Sequence, residues 1–331
     1  MFQTETEFVN WLQKSTARRS SQVKLGIGDD AALVRLAHGH DLILTSDLSI
    51  ENIHFIRGMH PAHAIGHRAL ARSLSDIAAM GGIPRFVLVS VALPGNVARR
   101  WVEDFYRGLD ELARRFGVTV IGGDTTVVSH TATVDVVVAG EVPSGKGLRR
   151  SGAKAGDVIF VSGCLGHSAL GLDLLKSRER GGSRAARKKG TAEKDALHAH
   201  LYPEPRCKLG AFLRRRNLAT SMMDLSDGLS LDLARLCRAS NVGAKVWAER
   251  IRGPKGLPSE KSLNLALDGG EDYELLFTVS PAKTSKIPPA FSGVPLYPVG
   301  EITRSKNLAL IRSDGTAVPL AAKGYDHFAK K

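Results

Sequence analysis

The pattern of apolar and polar positions predicts amphipathic helices separated by short buried strands. Helical periodicity is strongest at residues 4–16, from Pro61 to Met80, and at residues 97–116, where Gly117 ends the helix. On the first two helices the apolar positions are Phe8, Val9, Leu12, Ile65, Ala69, Leu74 and Ile77. Further helices are expected at residues 163–175 and 229–240.

Continuous apolar runs bounded by turn residues predict the strands. These runs are residues 42–47, 86–93, 118–124, 134–140, 158–162 and 274–279. Helices and strands alternate, but hairpin-like stretches intervene, which indicates an α+β protein rather than a strictly doubly wound one. A chain of 331 residues is long enough for two domains. We expect an α/β-type N-terminal domain with a mixed sheet at residues 1–150, and an α+β C-terminal domain at residues 151–331.

Composition is that of an ordinary globular protein, with 43% hydrophobic and 24% charged residues. The three cysteines are widely spaced and form no CxxC pair, so neither a disulfide framework nor a zinc site is indicated. A reducing, cytoplasmic setting fits this usage best. No signal peptide is recognisable, and no apolar run approaches the ~20 residues of a membrane span.

The net charge of +13 raises the question of nucleic-acid binding. Residues 176–195 contain eight Lys or Arg against three Asp or Glu, so one basic insert carries +5 of this charge. A stretch of this composition is typical of a solvated, flexible loop. Aromatic residues, 6% of the chain, are not interleaved with the basic ones. Neither nucleic acid nor membrane is therefore expected as a partner.

Acidic residues collect at the ends of the predicted segments. One apolar run ends in Thr45, Ser46 and Asp47, and a second ends in Gly122, Gly123 and Asp124. Further acids at segment ends are Asp29, Asp30, Asp76, Asp224 and Asp227. Because Mg²⁺ binds a few carboxylates together with substrate phosphates, this pattern predicts a Mg²⁺–nucleotide site.

Asp76 is the most informative of these acids. It lies near the C-terminal end of its predicted helix, where the helix dipole disfavours a negative charge, and a bound cation would offset that cost. Other candidate positions also fit interpretations without a bound ligand. Asp29 and Asp30 also suit a turn, the segment Asp224–Gly228 also suits a helix N-cap, and His54 also suits a surface loop.

Two nucleotide-binding motifs are matched only in part. Residues 140–147 fit the P-loop spacing GxxxxGK, but no Ser or Thr follows Lys146 and no convincing helix begins there. Residues 26–30 contain two of the three glycines of a dinucleotide-binding fingerprint, without the strand–turn–helix context. Both interpretations are weak.

Several short motifs follow one another along nearly the whole chain, from about residue 5 to Phe328. They are Gly28–Ala32, Thr45–Asp47 with His54–Phe55, Ser73–Gly82, Gly122–Thr126, Arg150–Ala153, Asp224–Gly228, Gly270–Leu276 and Gly324–Phe328. In this order and spacing they resemble the thiamine-monophosphate kinase family. The wider superfamily includes aminoimidazole ribonucleotide synthetase, selenophosphate synthetase and a hydrogenase-maturation protein.

The resemblance implies a two-domain fold like that of aminoimidazole ribonucleotide synthetase, with a Mg–ATP-binding N-terminal domain that also forms a homodimer. It implies phosphorylation of thiamine monophosphate by ATP to thiamine diphosphate, the last step of that cofactor's biosynthesis. Mg²⁺ ligands would be Asp30, Thr45, Ser46, Asp47, Asp76, Asp124, Asp224 and Asp227, with Asp47, Asp76, Asp124 and Asp227 essential for catalysis. ATP would contact Tyr106, Gly123, Asp124, Ser226 and Arg150, or the adjacent Arg149. The thiamine substrate would contact His54, Glu271 and Tyr325.

Three other functions remain open from the residues alone. A sister synthetase of the same superfamily would share the carboxylates but act on another substrate. A P-loop ATPase would depend on Lys146. A nucleic-acid-binding protein would use the basic charge, but it leaves the ordered carboxylates without a role.

Overall fold

The computed structural model of the chain describes residues 2, 4–16, 20–27, 31–179 and 191–325. The chain divides into two compact units. Unit 1 comprises residues 1–77 and 82–146, and unit 2 comprises residues 78–81 and 147–331. No helix among the described residues is long and apolar enough to cross a membrane.

Unit 1 is built around one mixed sheet with helices on one of its faces. Its elements are α1 (Glu5–Thr16), β1 (Val23–Leu25), β2 (Leu33–Val34), β3 (His40–Ile50), α2 (Ala62–Ala79), β4 (Ile83–Pro94), α3 (Arg99–Phe116), β5 (Thr119–Val128) and β6 (Thr133–Pro143). The strand order is β3–β6–β4–β5, in which only the β4–β5 pair is parallel. A separate antiparallel pair joins β1 to β2.

The inner face of this sheet and helices α2 and α3 form the core of unit 1. Val87, Val89 and Val136 from the strands are buried together with Leu74 of α2 and Leu109 of α3. Because strand residues alternate between faces, the neighbours of these core positions point to the other side of the sheet. There Leu42, Leu44, Leu48 and Leu88 are exposed, and we call these four the apolar sheet face.

Helices α2 and α3 approach each other through a reciprocal pair of glycines. A Cβ atom on Gly66 of α2 would lie 1.9 Å from the carbonyl oxygen of Phe105. A Cβ atom on Gly108 of α3 would lie 1.9 Å from the carbonyl oxygen of His63. Only glycine permits this close crossing at either position.

Unit 2 is a larger mixed sheet covered by helices. Its elements are β7 (Val158–Ser162), α4 (His167–Glu179), α5 (Thr191–Leu201), α6 (Cys207–Arg215), β8 (Ala219–Leu225), α7 (Leu229–Ser240), β9 (Gly243–Trp247), α8 (Ser259–Asp268), β10 (Glu274–Val279), β11 (Ala290–Phe291), β12 (Val294–Thr303), β13 (Leu308–Ile311) and β14 (Ala317–Pro319). The strand order is β14–β13–β9–β12–β7–β10–β8, with β11 paired to β12. Its core contains Val161, Leu233, Leu276 and Val299.

The fold class predicted from the sequence is confirmed, since both units combine helices with mixed sheets. Strands β7 and β10 and helix α7 have the predicted bounds. The basic insert differs from the predicted loop at its described ends, because residues 176–179 belong to α4 and residues 191–195 belong to α5. Residues 180–190 lie outside the described part of the chain.

Candidate functional site

In unit 1 the structure brings together three of the predicted oxygen ligands. Thr45 and Asp47 are alternate residues of β3 on the face that contacts α2, and the hydroxyl of Thr45 donates a hydrogen bond to Asp76 Oδ2. Asp76 lies three residues before the end of α2 at Ala79, as the sequence predicted. These three residues form what we call the β3–α2 oxygen cluster.

The two carboxylate oxygens of Asp47 differ in their surroundings: Oδ1 lies near an arginine, and Oδ2 is buried. Arg72 of α2 lies 3.8 Å from Asp47 Oδ1 and also donates to the Ser49 hydroxyl at 3.3 Å. Among the described residues, Asp47 Oδ2 is buried and has no hydrogen-bond partner. A buried oxygen in this state is costly, and a bound cation would remove the cost.

Ser46 lies on the opposite face of the sheet from Thr45 and Asp47. Its hydroxyl donates to Asp135 Oδ1 at 2.6 Å.

Strand β5 lies at a distance from Asp47 of β3, because two strands stand between them. Asp47 is paired with Val136, Val136 with Val89, and Val89 with Gly123. Three strand spacings amount to roughly 14 Å, so one Mg²⁺ ion cannot bind both Asp47 and the residues beside Gly123. The unit 1 ligands therefore fall into separate groups.

A cleft in unit 1 collects the predicted nucleotide contacts of this unit. Its volume is about 740 Å³, and Tyr106, Gly123 and Asp124 line it. The remaining lining residues are Phe8, Val9, Leu12, Gly26, Ile27, Ala31, Ala32, Leu88, Val89, Ile121, Gly122 and Thr125. Gly123 has φ 150°, and a Cβ atom there would lie 1.9 Å from the carbonyl oxygen of Val89. Glycine thus lets the strand bend past its neighbour at the cleft.

Tyr106 places a phenol against this cleft without a partner for its hydroxyl. The side chain is 2% exposed and lies among Phe8, Trp11 and Phe105. Among the described residues the buried hydroxyl has no hydrogen-bond partner. Burial raises the pKa of Tyr106 well above its usual value, so the group remains a neutral donor at physiological pH.

His54 follows β3 in a turn that fixes its ring. The Ile50 amide donates to His54 Nδ1 at 3.0 Å, which leaves Nε2 as the protonated nitrogen of the neutral ring. Asn52, in the left-handed region with φ 67°, makes the turn possible. The ring is half-buried at the surface of the loop.

In unit 2 the main chain brings the predicted substrate residues next to the Asp224–Gly228 segment. The Glu271 amide donates to the Ser226 carbonyl oxygen at 2.7 Å, and the Tyr325 amide donates to the Asp227 carbonyl oxygen at 3.0 Å. Four predicted site residues, Ser226, Asp227, Glu271 and Tyr325, are thus held together by backbone hydrogen bonds. Residues far apart in the chain, with no sequence periodicity to relate them, converge here.

Helix α7 does not use Ser226 or Asp227 as a side-chain cap. Gly228 is its N-cap residue, with no side-chain hydrogen bond. Instead the Asp232 carboxylate accepts from the amides of Ser226 and Asp227, at 3.1 and 2.9 Å. Burial raises the pKa of Asp232 to about 6. The interpretation of this segment as an ordinary cap is therefore wrong, and the Asp227 carboxylate instead forms an ion pair with Arg235.

The other predicted residues of unit 2 are Asp224, Arg149 and Arg150. Asp224 is 3% exposed on β8. Arg149 and Arg150 are both exposed; their carbonyl oxygens accept from the Met222 amide and the Ser240 hydroxyl. Nothing in these contacts favours one guanidinium over the other for ATP.

The P-loop interpretation of residues 140–147 is wrong. Gly140 lies within β6, and no helix begins directly after Lys146, because the next element of the described chain is strand β7. The Gly145 amide donates to Asp41 Oδ2 at 2.8 Å, and this hydrogen bond lowers the pKa of Asp41. An amide that a phosphate would need is therefore paired with a carboxylate.

Asp29 and Asp30 lie outside the described residues, between Ile27, which lines the cleft, and β2. Among the described residues, no group of three or more His, Cys, Asp or Glu side chains is arranged to hold a metal. The β3–α2 oxygen cluster fits Mg²⁺ nonetheless, because its ligands are all oxygen and that ion usually takes only one or two carboxylates with substrate phosphates.

Sequence reasoning missed the partners of the predicted residues. Arg72 could have been found, because it lies four residues before Asp76 on the same helix face. Asp135 also gives a signal, as an acid inside a β-branched run. Arg235 gives one as well, because it lies three residues after Asp232 on α7. His200 gives none, since its contacts depend on tertiary packing.

Comparisons with known proteins identify the family of the chain. Residues 28–142 match the model of the AIR synthase related protein N-terminal domain, and residues 154–313 match that of the C-terminal domain. The chain is 39% identical over 323 residues to the thiamine-monophosphate kinase of Escherichia coli (strain K12), covering 94% of each chain.

Solved structures show the same likeness. The crystal structure of thiamine-monophosphate kinase from Stenotrophomonas maltophilia K279a is 32% identical with a TM-score of 0.81, covering 94% of this chain and 96% of that one. The structure of AaThiL complexed with AMPPCP and TMP is 29% identical with a TM-score of 0.76, covering 98% and 97%. The family resemblance inferred from the motifs is confirmed: the chain belongs to the thiamine-monophosphate kinase family of AIR synthase related proteins.

Proposed function

We propose that the chain transfers the terminal phosphoryl group of ATP to thiamine monophosphate, giving ADP and thiamine diphosphate. Relatives that share almost its full length carry this activity in their names, and one similar structure is described as a complex with AMPPCP and TMP. The observation on this chain that carries the proposal is the buried Asp47 Oδ2 beside Thr45 and Asp76, which has no hydrogen-bond partner within the described ranges. Such an oxygen is suited to a cation that accompanies phosphate groups.

The nucleotide would bind in the unit 1 cleft. Tyr106 would offer a neutral hydroxyl donor, and Gly123 would let the main chain approach the ligand closely. The family resemblance also implies ATP contacts at Arg150 and Ser226. Asp124 would contribute to both the nucleotide and the metal.

One Mg²⁺ ion would be held by Thr45, Asp47 and Asp76, and further ions would be held by residues from the set Asp30, Ser46, Asp124, Asp224 and Asp227. When bound, the metal would neutralise the charge of two polyanions that otherwise repel each other. Without the metal, Arg72 stabilises the negative charge of Asp47, and Arg235 stabilises that of Asp227.

The chain itself has mainly to position the two substrates. A phosphate oxygen of thiamine monophosphate, already ionised near pH 7, would form the new bond to the γ-phosphorus while the bond to the β–γ bridging oxygen breaks and ADP leaves. No strong general base is needed. His54, Glu271 and Tyr325 would hold the thiamine part, and transfer would be direct, without a phosphoenzyme.

The experiment is formation of thiamine diphosphate from ATP and thiamine monophosphate, with Mg²⁺ or with EDTA, and with free thiamine as parallel substrate. We expect metal-dependent product from the monophosphate only, and no phosphorylated protein in intact-mass spectra during turnover. ATP hydrolysis without thiamine diphosphate would move the substrate to a sister synthetase. A covalently phosphorylated enzyme on the turnover pathway would refute direct transfer.

The P-loop alternative makes a different prediction for Lys146. Because Gly145 is paired with Asp41 and no helix follows, we expect Lys146→Ala to leave kcat/KM for ATP within about twofold of the wild type. A loss of about 100-fold or more would restore the P-loop function.

We also propose a homodimer that works in the cytoplasm. The apolar sheet face exposes Leu42, Leu44 and Leu48 by 46%, 63% and 51%, an arrangement typical of a surface that a second copy covers. Cys164, Cys207 and Cys237 are all free thiols, as expected in a reducing compartment.

A further inference from the structure

The loop that carries Glu271 is held in an unfavourable backbone conformation. Glu271 has φ 66° and Tyr273 has φ 53°, so two residues with side chains occupy the left-handed region within three positions. Residues of this kind persist only where their surroundings hold them, and they cluster at functional sites. The Glu271 amide donates to the carbonyl oxygen of Ser226 at 2.7 Å, and the Tyr273 amide donates to that of Leu225, the last residue of β8, at 2.9 Å.

Asp272, between them, ties the same loop to the start of α4. Its carboxylate accepts from the amides of Gly166 at 2.5 Å and Ser168 at 3.3 Å. The main chain of the loop is therefore fixed from two sides. The position of the Glu271 side chain is a separate question, since backbone contacts do not determine it.

His200 of α5 lies beside that side chain. Its Nδ1 atom is 3.8 Å from Glu271 Oε2, and its side chain is only 1% exposed. The same Nδ1 atom is 3.0 Å from the Ser168 hydroxyl, also buried. At Gly171, helix α4 lies so close to α5 that a Cβ atom would be 2.7 Å from the His200 Cβ. The ring is thus fixed by the packing of both helices.

We propose that His200 is a positioning residue, with Ser168 behind it, that orients the Glu271 carboxylate toward the thiamine substrate. This inference rests on the proposed function. The carboxylate favours a proton on Nδ1, whose hydrogen-bond acceptor is the Ser168 hydroxyl, and the positive edge of the ring then faces Glu271. A Glu271 carboxylate held in this way loses less conformational entropy when the substrate binds. Replacing His200 should therefore weaken the binding of thiamine monophosphate and not that of ATP.

The test compares steady-state kinetics of His200→Phe and His200→Gln with the wild type. We expect Phe to raise KM for thiamine monophosphate about tenfold or more while KM for ATP stays within about twofold. Gln, which keeps a polar group at the site, should recover most of the loss. The matched control is His198→Phe, an exposed histidine on the same helix, which should change neither KM.

The same substitution in a Glu271→Ala background separates positioning from general packing. If His200 acts through Glu271, then His200→Phe should add less than about twofold to KM for thiamine monophosphate once that carboxylate is gone. Ser168→Ala, a smaller change, should raise the same KM about threefold in the wild-type background, and this keeps the test decisive if His200→Phe does not fold.

The inference is overturned if both KM values rise together, if Gln is no better than Phe, or if the effect persists unchanged without Glu271. A wild-type enzyme that forms no thiamine diphosphate would instead refute the proposed function, and the positioning role with it. Wild-type turnover with the wrong variant pattern would refute the positioning role alone.

Discussion

The Thr45 hydroxyl donates a hydrogen bond to Asp76 Oδ2, which joins strand β3 to the last turn of helix α2. A carboxylate near a helix C-terminus is disfavoured by the helix dipole. The proposed Mg²⁺ would stabilise the charge of Asp76 at this position.

Asp76→Asn should lower kcat at saturating Mg²⁺ by about 100-fold or more, because an amide keeps the shape of the group but not the charge that a metal requires. The fold should be preserved, as judged by circular dichroism and thermal unfolding. Asp110→Asn provides a control, since this acid of α3 forms an ion pair with Arg114, away from the proposed ligands. Near-normal kcat for Asp76→Asn would refute its assigned role.

Tyr106→Phe should separate stability from nucleotide binding. Removing a buried hydroxyl that has no partner among the described residues should raise the free energy of unfolding by about 1 kcal/mol, measured by urea denaturation. If the hydroxyl contacts ATP, KM for ATP should rise several-fold while KM for thiamine monophosphate does not change. An unchanged KM for ATP would show that Tyr106 only lines the cleft.

Leu44→Arg should convert the proposed dimer to a monomer, because it places a charge in the centre of the apolar sheet face. Val127→Arg is the matched control. Val127 is 65% exposed, against 63% for Leu44, but the strand register places it on the other face of the same sheet. Sedimentation velocity gives the masses directly, and a wild-type monomer would contradict the proposal.

The stability of the fold should depend on pH through Asp272. Burial raises the pKa of Asp272 to about 7 in the native state, well above the ordinary value of about 4 for an aspartate. Between these two pH values the native state retains a proton that the unfolded chain has released. The stability from this group is present below pH 4 and is lost as pH rises toward 7.

The free energy of unfolding should therefore be compared between wild type and Asp272→Asn, whose amide is neutral at every pH. The wild type should lose stability relative to the variant between pH 4 and 7, by at most about 1.4 kcal/mol per pH unit, and then level off. A difference that stays constant or grows with pH would contradict the raised pKa.

Local patterns predicted the elements well where one physical signal dominated. The apolar face of α2, the glycine after α3 and the apolar run of β10 were each legible in the sequence. The basic insert was misread at its ends, because charge and glycine content suggested a loop where α5 forms by packing against α4.

The site was predictable only as a list of acids. That Thr45 and Asp47 share one face of β3 follows from the two-residue period of a strand, but their meeting with Asp76 depends on how α2 crosses the sheet. Glu271 and Tyr325 meet the Asp224–Gly228 segment through main-chain amides, which any residue possesses. Such a contact cannot be predicted from the side chains in the sequence.

The reciprocal contact of Gly66 with Phe105 and of Gly108 with His63 limits which substitutions the chain can accept. Helix α2 carries the proposed metal ligand Asp76, and helix α3 carries the proposed nucleotide contact Tyr106, so the two glycines set the spacing between the helices that present these residues. A methyl group at either glycine would push helices α2 and α3 apart. These two positions, although remote from any reacting atom, should be as intolerant of mutation as the carboxylates themselves.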